Sequence, residues 1–148
     1  MRLYVINPVT DREVPADEWV GYPHSLAVSA RWLVLRDGDI AFRFSKNNLY
    51  DRCMTKSFYE CTRSASQSGC RLGTEEEWNA IFEAKKACHL DSILSSIDGD
   101  VICGRYEYAE DGTVLRHFTG NRYLETFDRK QLAGNAEIFA RLFKSLPR

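Results

Sequence analysis

A chain of 148 residues with 44% hydrophobic and 28% charged residues has the composition of one soluble globular domain, long enough to bury a core without a metal or disulfide. Its 20 Lys and Arg against 21 Asp and Glu give a net charge of −1. That balance counts against a protein living on phosphate backbones, though it leaves room for a local basic face. No apolar run approaches the roughly 20 residues of a membrane span, so no membrane partner is expected.

The opening run Leu3–Ile6 reads as a short strand ending at Asn7-Pro8. It is too short for the core of a signal peptide, which makes the cytoplasm the expected location. Five cysteines, an odd number, fit reduced thiols in that compartment. Next comes an irregular segment, Val14 to Ser25, carrying Trp19, Tyr22 and Pro23.

"RWLVLRDGDIAFRF" is the first predicted hairpin, with Asp37-Gly38 as a two-residue type I′ turn. Counting outward pairs Leu35 with Ile40 and Leu33 with Phe42 on the core face. The other face pairs Arg36 with Asp39, Val34 with Ala41 and Trp32 with Arg43, the guanidinium lying over the indole. A second irregular segment, "SKNNLYDRCMTKSFYE", holds Tyr50, Phe58 and Tyr59 with Lys46, Arg52 and Lys56 among them. The polar patch Thr62–Ser68 reads as one loop.

"GTEEEWNAIFEAKKACHLDSILSSIDG" reads as helical over about 74–97. Thr74 and Glu77 make a capping box, three glutamates suit the helix dipole, and Trp78, Ile81 and Phe82 begin an apolar stripe. Asp91 marks a possible break within it. The second hairpin, "VICGRYEYAEDGTVLRHFTG", turns at Asp111-Gly112. A two-residue turn pairs Glu107 with Arg116, Tyr108 with Leu115 and Tyr106 with His117, avoiding an Arg105–Arg116 juxtaposition. The tail, "DRKQLAGNAEIFARLFKSL", shows apolar residues at helical spacing over 128–146, with Gly134 weakening its middle. The expected architecture is a single α+β domain: an antiparallel sheet of two hairpins with two main helices packed on it.

Candidate chemistry centres on the cysteines. Cys53, Cys61 and Cys70 fall within "RCMTKSFYECTRSASQSGC", but none forms the tight pair, two to four residues apart, of a structural zinc knuckle. A site assembled from these three with Cys88 or His89 remains an alternative to small buried hydrophobes. Cys70, beside Arg71 and just before the Thr74 cap, is the best-placed nucleophile, with His89 or His117 as a partner brought in by folding. His24, His89 and His117 are isolated, and His117 is expected to bond Tyr106. Asp98-Gly99-Asp100 lacks the further oxygen ligands of a calcium loop. "GCRLGTEEE" lacks a phosphate-loop lysine, and its glutamates would repel phosphate.

The stretch "SFYECTRSASQSGCRLGTEEEWNAIFEA" resembles the part of the formylglycine-generating (sulfatase-modifying) family that runs from an aromatic-Cys pair to Arg-Leu-Pro-Thr-Glu-x-Glu-Trp. Arg71, Leu72, Thr74, Glu75, Glu77 and Trp78 match, while Gly73 replaces the usual proline. The likeness spans fewer than thirty residues, and no counterpart of the later catalytic cysteines follows, so no catalytic role is carried over. A reduced lectin-like domain, which binds rather than catalyses, is the fold that the resemblance allows.

With no complete catalytic constellation, the expected function is binding of a protein partner, as an inhibitor, adaptor or accessory subunit. Trp19, Tyr22, Tyr50, Arg52 and Phe58 in the two irregular segments are the candidate contacts, since aromatics and Arg dominate binding hot spots. No cofactor is expected. The alternative is a small enzyme or nucleotide-binding protein with a Cys/His site, possibly holding zinc; single-stranded nucleic acid is a further option given the basic-aromatic mixture.

Overall fold

The computed structural model describes residues 2–7, 9–15, 31–45, 48–49, 57–87, 106–117 and 124–147. In chain order they form β1 (Arg2–Ile6), β2 (Glu13–Pro15), β3 (Trp32–Asp37), β4 (Ile40–Ser45), α1 (Phe58–Gln67), α2 (Glu75–Ala87), β5 (Tyr106–Tyr108), β6 (Val114–His117), β7 (Leu124–Phe127), β8 (Ile138–Phe139) and β9 (Phe143–Ser145). One sheet has the order β2-β1-β3-β4-β9 and is antiparallel throughout. The second has the order β7-β6-β5-β8, antiparallel except where β8 runs parallel to β5. The fold is α+β with an antiparallel sheet, as the patterning predicts, but the two hairpins lie in separate sheets instead of building one. No helix among the described residues is long and apolar enough to cross a membrane.

The first hairpin forms with its register shifted. Asp37 pairs with Ile40, Leu35 with Phe42 and Leu33 with Phe44, because Gly38 and Asp39, not Asp37 and Gly38, make the turn. Gly38 takes φ +58° at the first turn position, the place that a two-residue hairpin turn with one leading glycine requires. A shift by two keeps each side chain on its face. Leu33, Leu35 and Phe42 are therefore core as expected, Phe44 joins them, and Ile40 is only partly buried, while Arg43 lies 4.4 Å from the centre of the Trp32 ring.

The second hairpin slips by one residue, with a larger consequence. Glu107 pairs with Leu115 and Tyr108 with Val114, around a three-residue loop closed by Ala109 N–H to the Thr113 carbonyl at 2.8 Å. Gly112, at φ +90°, supplies the left-handed position such a loop needs. An odd slip exchanges the faces. Glu107 turns inward with Leu115, and Tyr106 meets Arg116 instead of His117, its hydroxyl accepting from the guanidinium at 3.3 Å.

α2 carries the predicted cap. Thr74 Oγ1 accepts from the Glu77 amide at 3.1 Å, and Glu77 Oε1 accepts from the Thr74 amide at 3.0 Å. Trp78, Ile81 and Phe82 bury their side chains against the five-stranded sheet; the expected continuation to residue 97 lies outside the described residues. α1 occupies the stretch expected as a loop. Ser57 and Glu60 form its capping box, and it stops at Gly69, φ +69°. Only Cys61 and Ala65 of this helix are buried, a seam too narrow to produce an apolar stripe in the sequence.

The tail corrects the expected helix over 128–146. Asp128 and Gln131 do form a capping box, but it opens only a 3-10 turn, Arg129–Gln131. Ile138 to Phe143 are then six consecutive buried residues, which suits an extended strand sealed on both faces rather than a helix docked by one side. This segment crosses from one sheet to the other, β8 beside β5 and β9 beside β4.

Phe143 is the hub of the larger core, with ring centroids 5.3 Å from Trp78, 5.6 Å from Phe42 and 5.7 Å from Phe44. Gly73 lies directly against that ring: a Cβ there would stand 2.5 Å from Phe143 Cζ. No side chain fits, which accounts for glycine at the position where the resembling family has proline. Gly73→Ala is expected to lower stability by about 1–3 kcal/mol through overpacking. In a Phe143→Leu background the same change should cost less; denaturant melts of the four-variant cycle test this, and an unchanged cost would show that the ring is not the obstacle.

Candidate functional site

Three local structures meet at one surface cleft. The Ser57 cap puts Phe58 in the first turn of α1. The β5–β6 loop brings Asp111, Gly112 and Thr113, and the end of β7 brings Thr126, Phe127, Asp128 and Arg129. Together these residues line an open cleft of about 370 Å³. The Phe58 ring leans on Tyr108 with centroids 5.7 Å apart, and Phe127 stands edge-on to Tyr106 at 5.9 Å. Both cleft aromatics are thus seated on the smaller core cluster, which includes α1 and the second sheet.

The charged groups here also serve the backbone. Asp111 Oδ1 accepts from the Thr113 hydroxyl at 2.6 Å and the Thr113 amide at 3.0 Å, and these bonds hold its carboxyl below the ordinary range. Asp128 accepts from the Lys130 amide at 3.0 Å. Arg129 donates to the carbonyls of Ala133 at 3.2 Å and Gly134 at 3.3 Å. The cleft therefore offers two carboxylates, two hydroxyls and two aromatic rings, with its one guanidinium engaged by backbone carbonyls.

Of the candidate contacts, Phe58 lies at this cleft, half-buried. Trp19, Tyr22, Tyr50 and Arg52 fall outside the described residues, as do Cys53, Cys88, His24 and His89. Cys61 is a buried thiol and Cys70 a half-buried one, neither in a disulfide, and Cys70 Sγ donates to the Ser68 carbonyl at 3.5 Å. Both pack in the smaller core cluster. Among the described residues no group of three or more His, Cys, Asp or Glu is placed to hold a metal ion. The residues matching the formylglycine-generating segment act structurally here. Arg71 clamps Glu77 through two bonds of 2.6 and 2.8 Å, and its backbone exchanges two hydrogen bonds with Phe143.

In the sequence Asp111 and Gly112 read only as a turn, and Asp128 and Arg129 as the start of the expected helix over 128–146. A second polar centre was missed outright. Arg141 Nε donates to Glu107 Oε1 at 2.9 Å with both side chains essentially sealed from solvent. Its Nη1 donates to the Ser45 carbonyl at 3.3 Å, and Trp78 lies 5.7 Å from its guanidinium carbon. Glu107 Oε2 and Trp78 Nε1 have no protein partner. The sequence signal for this pair was a glutamate between the tyrosines of β5 and an arginine inside the apolar run 138–143.

A comparison with protein-family models, curated proteins and solved structures finds no match.

Full burial lifts the Glu107 carboxyl well above its usual 4.5, because desolvation penalises the charged form. Above about 4.5 the unfolded chain releases a proton that the folded state retains, so stability should be full below that pH and decline as pH rises toward the folded value. Urea melts between pH 4 and 8 should show that decline in the wild type and a flatter profile in Glu107→Gln. Identical slopes would refute it. Arg141→Met, which leaves the buried Glu107 carboxyl without its hydrogen-bond donor, should cost about 1–3 kcal/mol.

Proposed function

We propose that this chain acts by binding a protein partner, as an inhibitor, adaptor or accessory subunit, and that the Phe58 cleft is part of the contact surface. The observation that carries this reading is the cleft itself. It is an open depression of about 370 Å³ with two aromatic side chains in its lining, each braced from behind by a tyrosine. Rings held in place by packing lose little freedom on contact, which is why aromatic anchors contribute disproportionately to binding. The polar residues around them provide the hydrogen-bonding rim that such anchors have at protein interfaces.

Thr126 is exposed on β7 and lines the cleft, so Thr126→Lys fills the site from a position that carries no core packing. Its effect on stability should stay within about 0.5 kcal/mol. Ser66→Lys, on the exposed side of α1, is the matched control. Affinity capture from the source cells, quantified for the wild type and both variants, should recover a protein that Thr126→Lys loses and Ser66→Lys retains. Equal recovery by all three would place the contact elsewhere.

A further inference from the structure

The chemistry of the cleft narrows the partner further, given the reading that it is a binding surface. We infer that it receives an extended, cationic peptide segment of the partner, which pairs with the edge of β7 that no described strand covers and sets an arginine or lysine side chain between Asp111 and Asp128.

Two independent features support this occupant. The first is charge. Asp111 and Asp128 face the cleft against one cation, Arg129, whose guanidinium is directed to the carbonyls of Ala133 and Gly134. Asp111 receives its bonds through Oδ1 from Thr113, and the same bonds hold it ionised. A guanidinium or ammonium would find complementary charge here, with its stem against Phe58 and Phe127 and a ring face for cation–π contact. An anionic group would face the two carboxylates instead.

The second feature is the strand. β7 ends the order β7-β6-β5-β8, paired with β6 on its inner side and with no described strand on its outer side. Its residues Thr126 and Phe127 line the cleft. A peptide added at this edge would have its amides satisfied by the strand and would direct alternate side chains toward the cleft, the arrangement that gives strand addition both affinity and selectivity.

The carboxylate charges can be removed without disturbing the turns. Asparagine supplies the same acceptor at a turn and is as good a helix cap as aspartate. Asp111→Asn/Asp128→Asn is therefore the discriminating variant. The probes are three capped pentapeptides of alternating residues: serine–arginine, serine–citrulline as the uncharged isostere, and serine–glutamate. Binding is followed by the amide shifts of Thr113 and Thr126 and by slowed hydrogen exchange along β7. The arginine peptide should bind the wild type at least about fivefold tighter than the citrulline peptide, and the glutamate peptide should bind least. In the double variant the arginine peptide should fall to the citrulline level while the citrulline peptide is unchanged.

Equal affinity of the arginine and citrulline peptides would overturn the cation while leaving the cleft as a binding surface. Shifts at Thr113 and Thr126 without slowed exchange along β7 would overturn the strand pairing. No response from any peptide, or a stronger response to a single-stranded oligonucleotide, would overturn the inference as a whole. Failure of the binding reading itself is seen separately, as partner capture that Thr126→Lys does not change.

Discussion

A buried guanidinium governs how this chain is assembled. Arg141 sits where the two sheets meet, and a guanidinium removed from water has to be met there by hydrogen-bond acceptors. Glu107 from the four-stranded sheet and the Ser45 carbonyl from the five-stranded sheet provide them. Satisfying Arg141 therefore ties β5 and the end of β4 to one segment. It requires Glu107 to face inward, which fixes the register of the β5–β6 hairpin. That register demands a three-residue loop, and the loop places Asp111, Gly112 and Thr113 beside Phe58. The surface cleft follows, by these steps, from an interaction inside the molecule.

The same extended segment anchors the larger core. Two residues after Arg141, Phe143 enters a cluster with Phe42, Phe44 and Trp78. Its backbone is held by Arg71 on one side and paired with Phe44 on the other. Arg71 in turn clamps Glu77, the residue that caps α2. Backbone pairing, an ion pair and a helix cap thus converge on a few residues. Gly73 sits among them because the approach of the Phe143 ring leaves no space for a Cβ.

What could be read in advance was whatever depends on near neighbours in the chain. The Thr74–Glu77 box, the Trp78, Ile81 and Phe82 stripe, and the existence of both Asp-Gly hairpins each need only a few adjacent residues. The errors arose where distant residues decide. Asp111-Gly112 is compatible with a two-residue or a three-residue loop, and burial of Glu107 against Arg141, 34 positions later, favours the longer one. Ile138, Phe139, Leu142 and Phe143 satisfy helical spacing equally well as a continuous apolar run, and the sheets on either side select the strand. α1 was hidden for the opposite reason: a helix that buries only Cys61 and Ala65 leaves little hydrophobic signal. The site had the same limitation. Phe58 stood out as an aromatic in an irregular segment, but its neighbours in the cleft come from two other stretches of the chain.

The acidic residues divide by what their charge does. Glu13 and Glu77 each pair with an arginine, Arg36 and Arg71 respectively, and Glu107 is bonded to buried Arg141, so each is accounted for within the fold. Asp111 and Asp128 meet backbone amides and a hydroxyl, donors that a neutral amide side chain would satisfy as well. Their negative charge is not needed by the loop or by the 3-10 turn they stabilise. Both charges nevertheless line one cleft, beside two braced aromatic rings and a strand edge that no described strand covers. A cationic partner segment would use each of these features at once: the charges, the rings and the edge.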